Sequence, residues 1–308
     1  MPWMPENFSS PIAEARSHRE SESANDAIPY YEGIMANQPE ALVRSFAGEP
    51  VLDDPRVGYV EGARRLRAFV NGTAEWLGER DAVVENVALT PTPTRTVEEV
   101  VLHLLSEEGG ERVELPVAIV SDRNPDRTLK AIRVYHSMWP LTGEHAVRPP
   151  LLPADPALQL PGGVVSDYQR ALAEGDLAGI AATFEPDGYA REPSGGAYLH
   201  RGPDEVRTFY AALFGRGSGI LQRGPEPLRS LYETLFSDGG GGIPLEHCTL
   251  TDDGVRCAIE YNVVRWGEDE VPPQAGVAVY ERSSSGLLTA ARIYDDVEPP
   301  AVSDTSAG

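Results

Sequence analysis

The chain is poor in lysine, cysteine and long apolar stretches. Lys130 is its one lysine, and Cys248 and Cys257 are its two cysteines. No apolar run approaches the roughly 20 residues that a membrane-spanning helix needs. The first residues, MPWMPENFSSPIAEARSHRESES, lack the cationic start and apolar stretch of a secretory leader, so a cytoplasmic location is expected. Two cysteines nine positions apart, with no second pair, leave a thiolate metal site incomplete; buried free thiols are expected, and neither metal nor organic cofactor. Cations are also scarce, 26 against 48 acids, for a net charge of −22. Such a balance repels phosphate backbones and anionic lipid surfaces, which excludes nucleic acid and membrane as partners by long-range electrostatics.

What the chain does have is enough apolar residue, 41% of 308, for two modest cores. Residues 1–27 and 301–308 are polar and without apolar periodicity, and read as disordered tails. Six prolines between Pro140 and Pro161 make an extended, semi-rigid connection, because proline fixes φ and removes an amide donor. The expected organisation is a first domain over 28–145, a Pro-rich linker over 146–161 and a second domain over 162–300. The charge divides along the same boundary: twelve cations against nineteen acids leave −7 on the first domain, and eleven against twenty-two leave −11 on the second.

The two domains repeat one order of elements. Each opens with amphipathic helix, PYYEGIMANQPEALVRSF or VVSDYQRALAEGDLAGIAATF, whose apolar residues recur at spacings of three and four. An extended piece ending in acid-Pro follows, then a Gly and a further helix, GARRLRAFV or GPDEVRTFYAALF. Val, Ile and Tyr-rich strands with short turns complete each half. Helices in front and strands behind predict an α+β fold with helices on one face of a curved sheet. The landmarks share a register. Tyr30 and Asp54 are 24 apart, as are Tyr168 and Glu192; Gly62 and Phe69 are seven apart, as are Gly202 and Phe209. The last strands align as Arg133-Val-Tyr135-His136 and Arg292-Ile-Tyr294-Asp295. These agreements identify a duplicated domain.

The second half, with Tyr168, the run ALAEGDLAGIAATF, the REP around Glu192 and the VRTFYA around Tyr210, resembles bacterial ketosteroid isomerases and SnoaL-like proteins of the nuclear transport factor 2-like superfamily. The resemblance implies two tandem cone-shaped α+β barrels, each a curved, mostly antiparallel sheet with three helices. By the same resemblance Glu192, and Asp54 in the first half, stand where the isomerases keep their proton-moving carboxylate. Tyr168 and Tyr30 match a helical tyrosine that donates to substrate oxygen or supports the tyrosine network that does so. Tyr210 matches a further pocket tyrosine, replaced by Val70 in the first half. The isomerases' second oxygen donor, a protonated Asp, falls at Ala278 and Ala118. SnoaL-like cyclases use a last-strand acid near the position of Asp295, where the first half has His136.

The residues themselves allow these roles. A carboxylate desolvated in an apolar cone gains proton affinity and accepts a proton from an acidified carbon near neutral pH, while a phenol supports the oxygen on which charge develops. Each acid-Pro also fits a strand-opening turn, and buried tyrosines serve cores as often as chemistry. The expected catalytic group is Glu192, Tyr168, Asp295, Asp54 and Tyr30, and the expected substrate-binding group is Tyr210, Arg292, His136 and Asn262. Arg292 and Arg133 also fit salt-bridged strand positions, and the direction of Asn262 or His247 is open. A Gly-flanked insert over 215–243, absent from the first half, suggests either a lid or a surface elaboration. The expected activity is isomerisation, cyclisation or epoxide opening on a small apolar oxygenated molecule. The alternative is a noncatalytic binding or scaffold protein whose two cones form an internal pseudo-dimer; homo-oligomers are compatible with either.

Overall fold

The computed structural model describes residues 30–106, 110–195, 198–214 and 241–297. The chain divides into two compact units, Met1–Gly143 and Glu144–Gly308. Both expected tails and nearly all of the expected lid lie outside the described residues.

In the first unit, α1 (Tyr30–Met35) and α2 (Pro39–Arg44) are separated at Asn37, whose positive φ of 50° turns the chain. Strands β1 (Val51–Asp54) and β2 (Gly58–Glu61) form a hairpin, followed by the long helix α3 (Ala63–Glu79). Four strands then follow: β3 (Val83–Pro91), β4 (Arg95–Leu105), β5 (Arg112–Arg123) and β6 (Leu129–Tyr135), with a short α4 (Trp139–Thr142) after them. Leu66, Phe69, Val70, Thr73 and Leu77 recur at helical spacing on α3 and form its buried stripe.

The second unit repeats the plan. Helix α5 (Val164–Glu174) is stopped by Gly175 in the left-handed region, and Asp176 caps α6 (Leu177–Ala182) by accepting the Gly179 amide at 2.9 Å. Then come β7 (Phe184–Arg191), β8 (Leu199–Arg201), α7 (Gly202–Phe214), β9 (Leu245–Asp252), β10 (Arg256–Trp266), β11 (Asp269–Arg282) and β12 (Leu288–Asp295).

The sheets have the same topology, β2-β1-β6-β5-β4-β3 and β8-β7-β12-β11-β10-β9. All pairings are antiparallel except β1 with β6 and β7 with β12. The α+β architecture and its duplication therefore stand as expected, as two mixed six-stranded sheets. The turns between β1 and β2 and between β7 and β8 follow the two acid-Pro pairs.

Core residues alternate along the strands of the second sheet. Cys257, Ile259, Tyr261 and Val263 of β10 join the helices' apolar cluster, as do Ala278 and Tyr280 of β11. The intervening residues, among them Glu260, Asn262, Val277 and Val279, are also buried, on the opposite face. Part of that face is met by the Pro-rich segment. Leu152 offers its carbonyl to Asn262 at 3.1 Å and to the Cys248 thiol at 3.6 Å, and Asp296 accepts from Ala146 at 2.6 Å. The segment expected to be a linker is thus bonded along its length to the second unit. Cys248 and Cys257 are buried thiols, and burial pushes the Cys257 thiol up to about 12, which keeps it unreactive. Among the described residues no helix is long and apolar enough to cross a membrane, and no cluster of three His, Cys, Asp or Glu could hold a metal ion.

Candidate active site in the second unit

The inner face of the second sheet and the helices over it enclose four tyrosines and two carboxyls. Tyr168 reaches inward from α5 and Tyr210 from α7, and their hydroxyls hydrogen-bond each other. The Tyr168 ring lies 5.0 Å from that of Tyr280 on β11, and it meets Phe184 edge-on at 6.1 Å. Each phenol is displaced from water. Burial first, and for Tyr210 also the negative charge of Glu192, keeps these hydroxyls protonated well above their usual range.

Asp295 enters this interior from the end of β12. Tyr261 on β10 donates to its Oδ2 at 2.7 Å, although β11 runs between the two strands. Gly276 makes that reach feasible. It pairs with Tyr261 on one side and Asp295 on the other, and a Cβ at Gly276 would stand 2.7 Å from the Tyr261 ring and 2.8 Å from the Asp295 Cβ. Asp295 is half-buried. Burial pushes its carboxyl up to about 6, with Asp296 adding to the rise; the Tyr261 bond, the Val297 amide and His145 oppose it without cancelling it.

Glu192 follows β7 and is buried. Its Oε1 lies 2.7 Å from Nε2 of His200 on β8, and the His200 ring stacks on Phe209 at 4.4 Å. The hairpin sets this pair, because the Glu192 amide donates to the Tyr198 carbonyl at 3.1 Å. Behind Tyr280 runs another polar chain. Gln169 donates to the Tyr280 hydroxyl at 2.7 Å and meets Nε2 of His247 at 3.1 Å through Oε1.

The structure thus brings Tyr168, Tyr210, Glu192 and Asp295 to one interior. Arg292 and Asn262 do not join them. Both belong to the opposite face, where Arg292 donates to Glu281 at 3.1 Å and to Tyr189 at 3.3 Å, and Asn262 is tied to Leu152. Their expected substrate contact is corrected on that ground: strand alternation turns them away from Tyr261, Tyr280 and Asp295. Tyr30, Asp54 and His136 belong to the first unit. Asp54 Oδ1 accepts the amides of Arg56 at 2.9 Å and Val57 at 3.3 Å, a turn-forming arrangement, and the buried Tyr30 hydroxyl has no hydrogen-bond partner among the described residues. His136 is buried, with Nδ1 on the Ser137 carbonyl at 3.1 Å.

The register also moves one alignment by a residue. Ala278 pairs with Ile293 and Ile259, whereas its counterpart between Val134 and Glu98 is Ile119. Ala118 lies on the other face. Where the second unit has Tyr261 opposite Gly276, the first has Val100 opposite Val117. Three side chains of the site, Tyr261, Tyr280 and His200, carried no signal in the sequence beyond their strand patterns.

The family of SnoaL-like domains matches residues 165–222, a span that opens on α5 and includes Tyr168, Glu192, His200 and Tyr210. That span is similar to the SnoaL-like family. The match ends before the strands that carry Tyr261, Tyr280 and Asp295. No curated protein matches the chain. Among solved structures, an NTF2-like protein of unknown function from Cytophaga hutchinsonii is 17% identical, covering 34% of this chain and 90% of its own, with a TM-score of 0.30. The epoxide hydrolase/cyclase-like enzyme SalBIII of salinomycin pyran ring formation is 16% identical, covering 40% and 90%, with a TM-score of 0.29. A protein with a ketosteroid isomerase-like fold from Catenulispora acidiphila, in complex with trimethylamine, is 13% identical, covering 36% and 84%, with a TM-score of 0.30.

Proposed function

We propose that the second unit is an acid–base enzyme acting on a small, largely apolar molecule that carries an oxygen. The observation that supports this reading most directly is Asp295, a carboxyl held among phenols by Tyr261, with a proton affinity brought near neutrality. In that state it takes a proton from carbon and returns it elsewhere on the same molecule. The charge that collects on the substrate oxygen meets phenol O–H groups already in place, in surroundings that exclude water. No net oxidation occurs. Isomerisation and cyclisation both fit this cycle; epoxide opening would use the same carboxyl toward water or the ring oxygen.

Glu192 keeps its place as a second proton carrier, with His200 fixing its direction. Its charge is felt at Tyr210, and that of Asp295 at Tyr280 and Tyr261. The first unit favours a noncatalytic role. Its counterparts to Tyr210 and Tyr261 are Val70 and Val100, both fully buried in an apolar core, and Asp54 is engaged in a turn.

The test is isomerisation of an unconjugated steroid ketone, followed by the absorbance of the conjugated product. The wild type is expected to accelerate it, and Asp295→Asn to lower the rate by about 100-fold or more, with Tyr261→Phe in between. An Asp295→Asn protein as fast as the wild type on a substrate it turns over would defeat the assignment.

A further inference from the structure

The Pro-rich segment crosses the second sheet from β12 to β9, and its bonds fall one residue away from the proposed site. Tyr261, Gly276 and Asp295 face one another across three strands, and the next positions are Asn262, Ala275 and Asp296. The segment holds each of these three. His145 Nδ1 lies 2.7 Å from Asp296 Oδ1, and the Ala146 amide donates to Asp296 Oδ2 at 2.6 Å. The Ala275 amide donates to the Arg148 carbonyl at 3.0 Å, and Asn262 donates to the Leu152 carbonyl at 3.1 Å. On β9 the Asp155 amide ends the crossing at the His247 carbonyl, 2.8 Å away. Pro149, Pro150 and Pro153 fix φ within the segment, so it is stiff before it docks. The first anchor is also the most buried. The Asp296 side chain is 1% exposed with both oxygens engaged, and its Cα stands about 3.8 Å from that of Asp295. The like charge of Asp296 opposes ionisation of Asp295, and His145 favours it. Among the described residues, the other titratable groups that bear on Asp295 are Tyr261 from β10 and Tyr280 from β11.

We infer that residues 145–155 form a strap belonging to the acid–base site, in which His145 and Asp296 act through Asp295 as positioning residues. The inference rests on the proposed reading of Asp295 as the proton carrier. It adds control from the row of residues next to the interior, by a segment that contributes no side chain to the interior itself.

The test is a carbon-13 NMR titration of the Asp295 carboxyl in the full chain labelled at aspartate, with Asp295→Asn identifying the resonance. The midpoint is expected to fall in Asp296→Asn and to rise in His145→Gln, each by about 0.5 to 1 pH unit, a roughly three- to tenfold change in proton affinity. The opposite signs separate positioning from support. A strap that only supports the fold would admit water when loosened, and both variants would then move the midpoint down toward the ordinary carboxylate value. His145 is half-buried, and Gln keeps a donor for Asp296, so His145→Gln decides the matter even if Asp296→Asn does not fold. A midpoint unmoved in either folded variant, or a fall in His145→Gln, would overturn the inference. No substrate enters this measurement. Turnover in Asp295→Asn tests the proposed activity alone, so either can fail while the other stands.

Discussion

Asp295 binds a proton more tightly in the native chain than in the unfolded one, and that difference sets a sign for stability. An unfolded Asp ionises near pH ~4, whereas burial brings the native carboxyl to about 6. Between these values the native state holds the extra proton, so this group's contribution is full below the lower value and is lost as pH rises through the upper one. Replacing Asp295 by Asn keeps an acceptor for Tyr261 and removes the buried charge. Thermal melts should therefore show Asp295→Asn more stable than wild type at pH 7 by about 1–2 kcal/mol, after allowance for the half-exposure of the carboxyl, and the difference should vanish near pH 4. Comparing the two proteins at each pH removes the opposing contribution of groups such as Asp122, which Arg133 and Arg95 hold below the usual carboxylate range in spite of its burial. If Asp295 carries the proposed reaction, the same variant is expected to be both inactive and more stable.

At the scale of elements, three adjacent strands build the Tyr261–Asp295 bond, and Gly276 in the middle strand is its condition. Gly276→Ala should lower stability by roughly 1–3 kcal/mol, since its Cβ would overlap both neighbours, and should separate the phenol from the carboxyl. The check is a melt together with a pH–rate profile, in which the inflection assigned to Asp295 moves when Tyr261 no longer donates. Elements also decide how much the amino-acid sequence reveals. Tyr, acid, Gly and Phe at shared spacings display the duplication, because helix starts and hairpins need those residues at fixed places. The faces of β10 and β11 are not legible, because both are buried and apolar residues occupy alternate and intervening positions alike. Asn262 and Arg292 thus read as well inward as outward, and Tyr280 as a core residue. His200 is hidden for a different reason: β8 has three residues, too few for a pattern.

Over the whole molecule, the boundary between units falls at Gly143, and the Pro-rich segment belongs to the second unit. His145 and Ala146 satisfy the buried Asp296 at 2.7 and 2.6 Å, Arg148 offers its carbonyl to Ala275 at 3.0 Å, and the Asp155 amide bonds the His247 carbonyl at 2.8 Å. A second unit that begins at Gly162 would lose all of these and leave a buried carboxylate without those partners. It should melt several degrees below one that begins at Glu144, by calorimetry at equal concentration. Equal melting temperatures would show that the segment is only a connector.

Strand order also bears on how the protein is made. In each sheet the last strand synthesised does not add to an edge. It inserts between the first hairpin and the preceding strand, pairing β6 with β1 and β12 with β7 in parallel. Until β12 leaves the ribosome the second sheet is two unjoined pieces, and the carboxyl at its end, Asp295, is among the last residues of the second interior to arrive. A prematurely terminated chain therefore has neither a joined second sheet nor Asp295, while the first unit ends at residue 143 and can fold ahead of it.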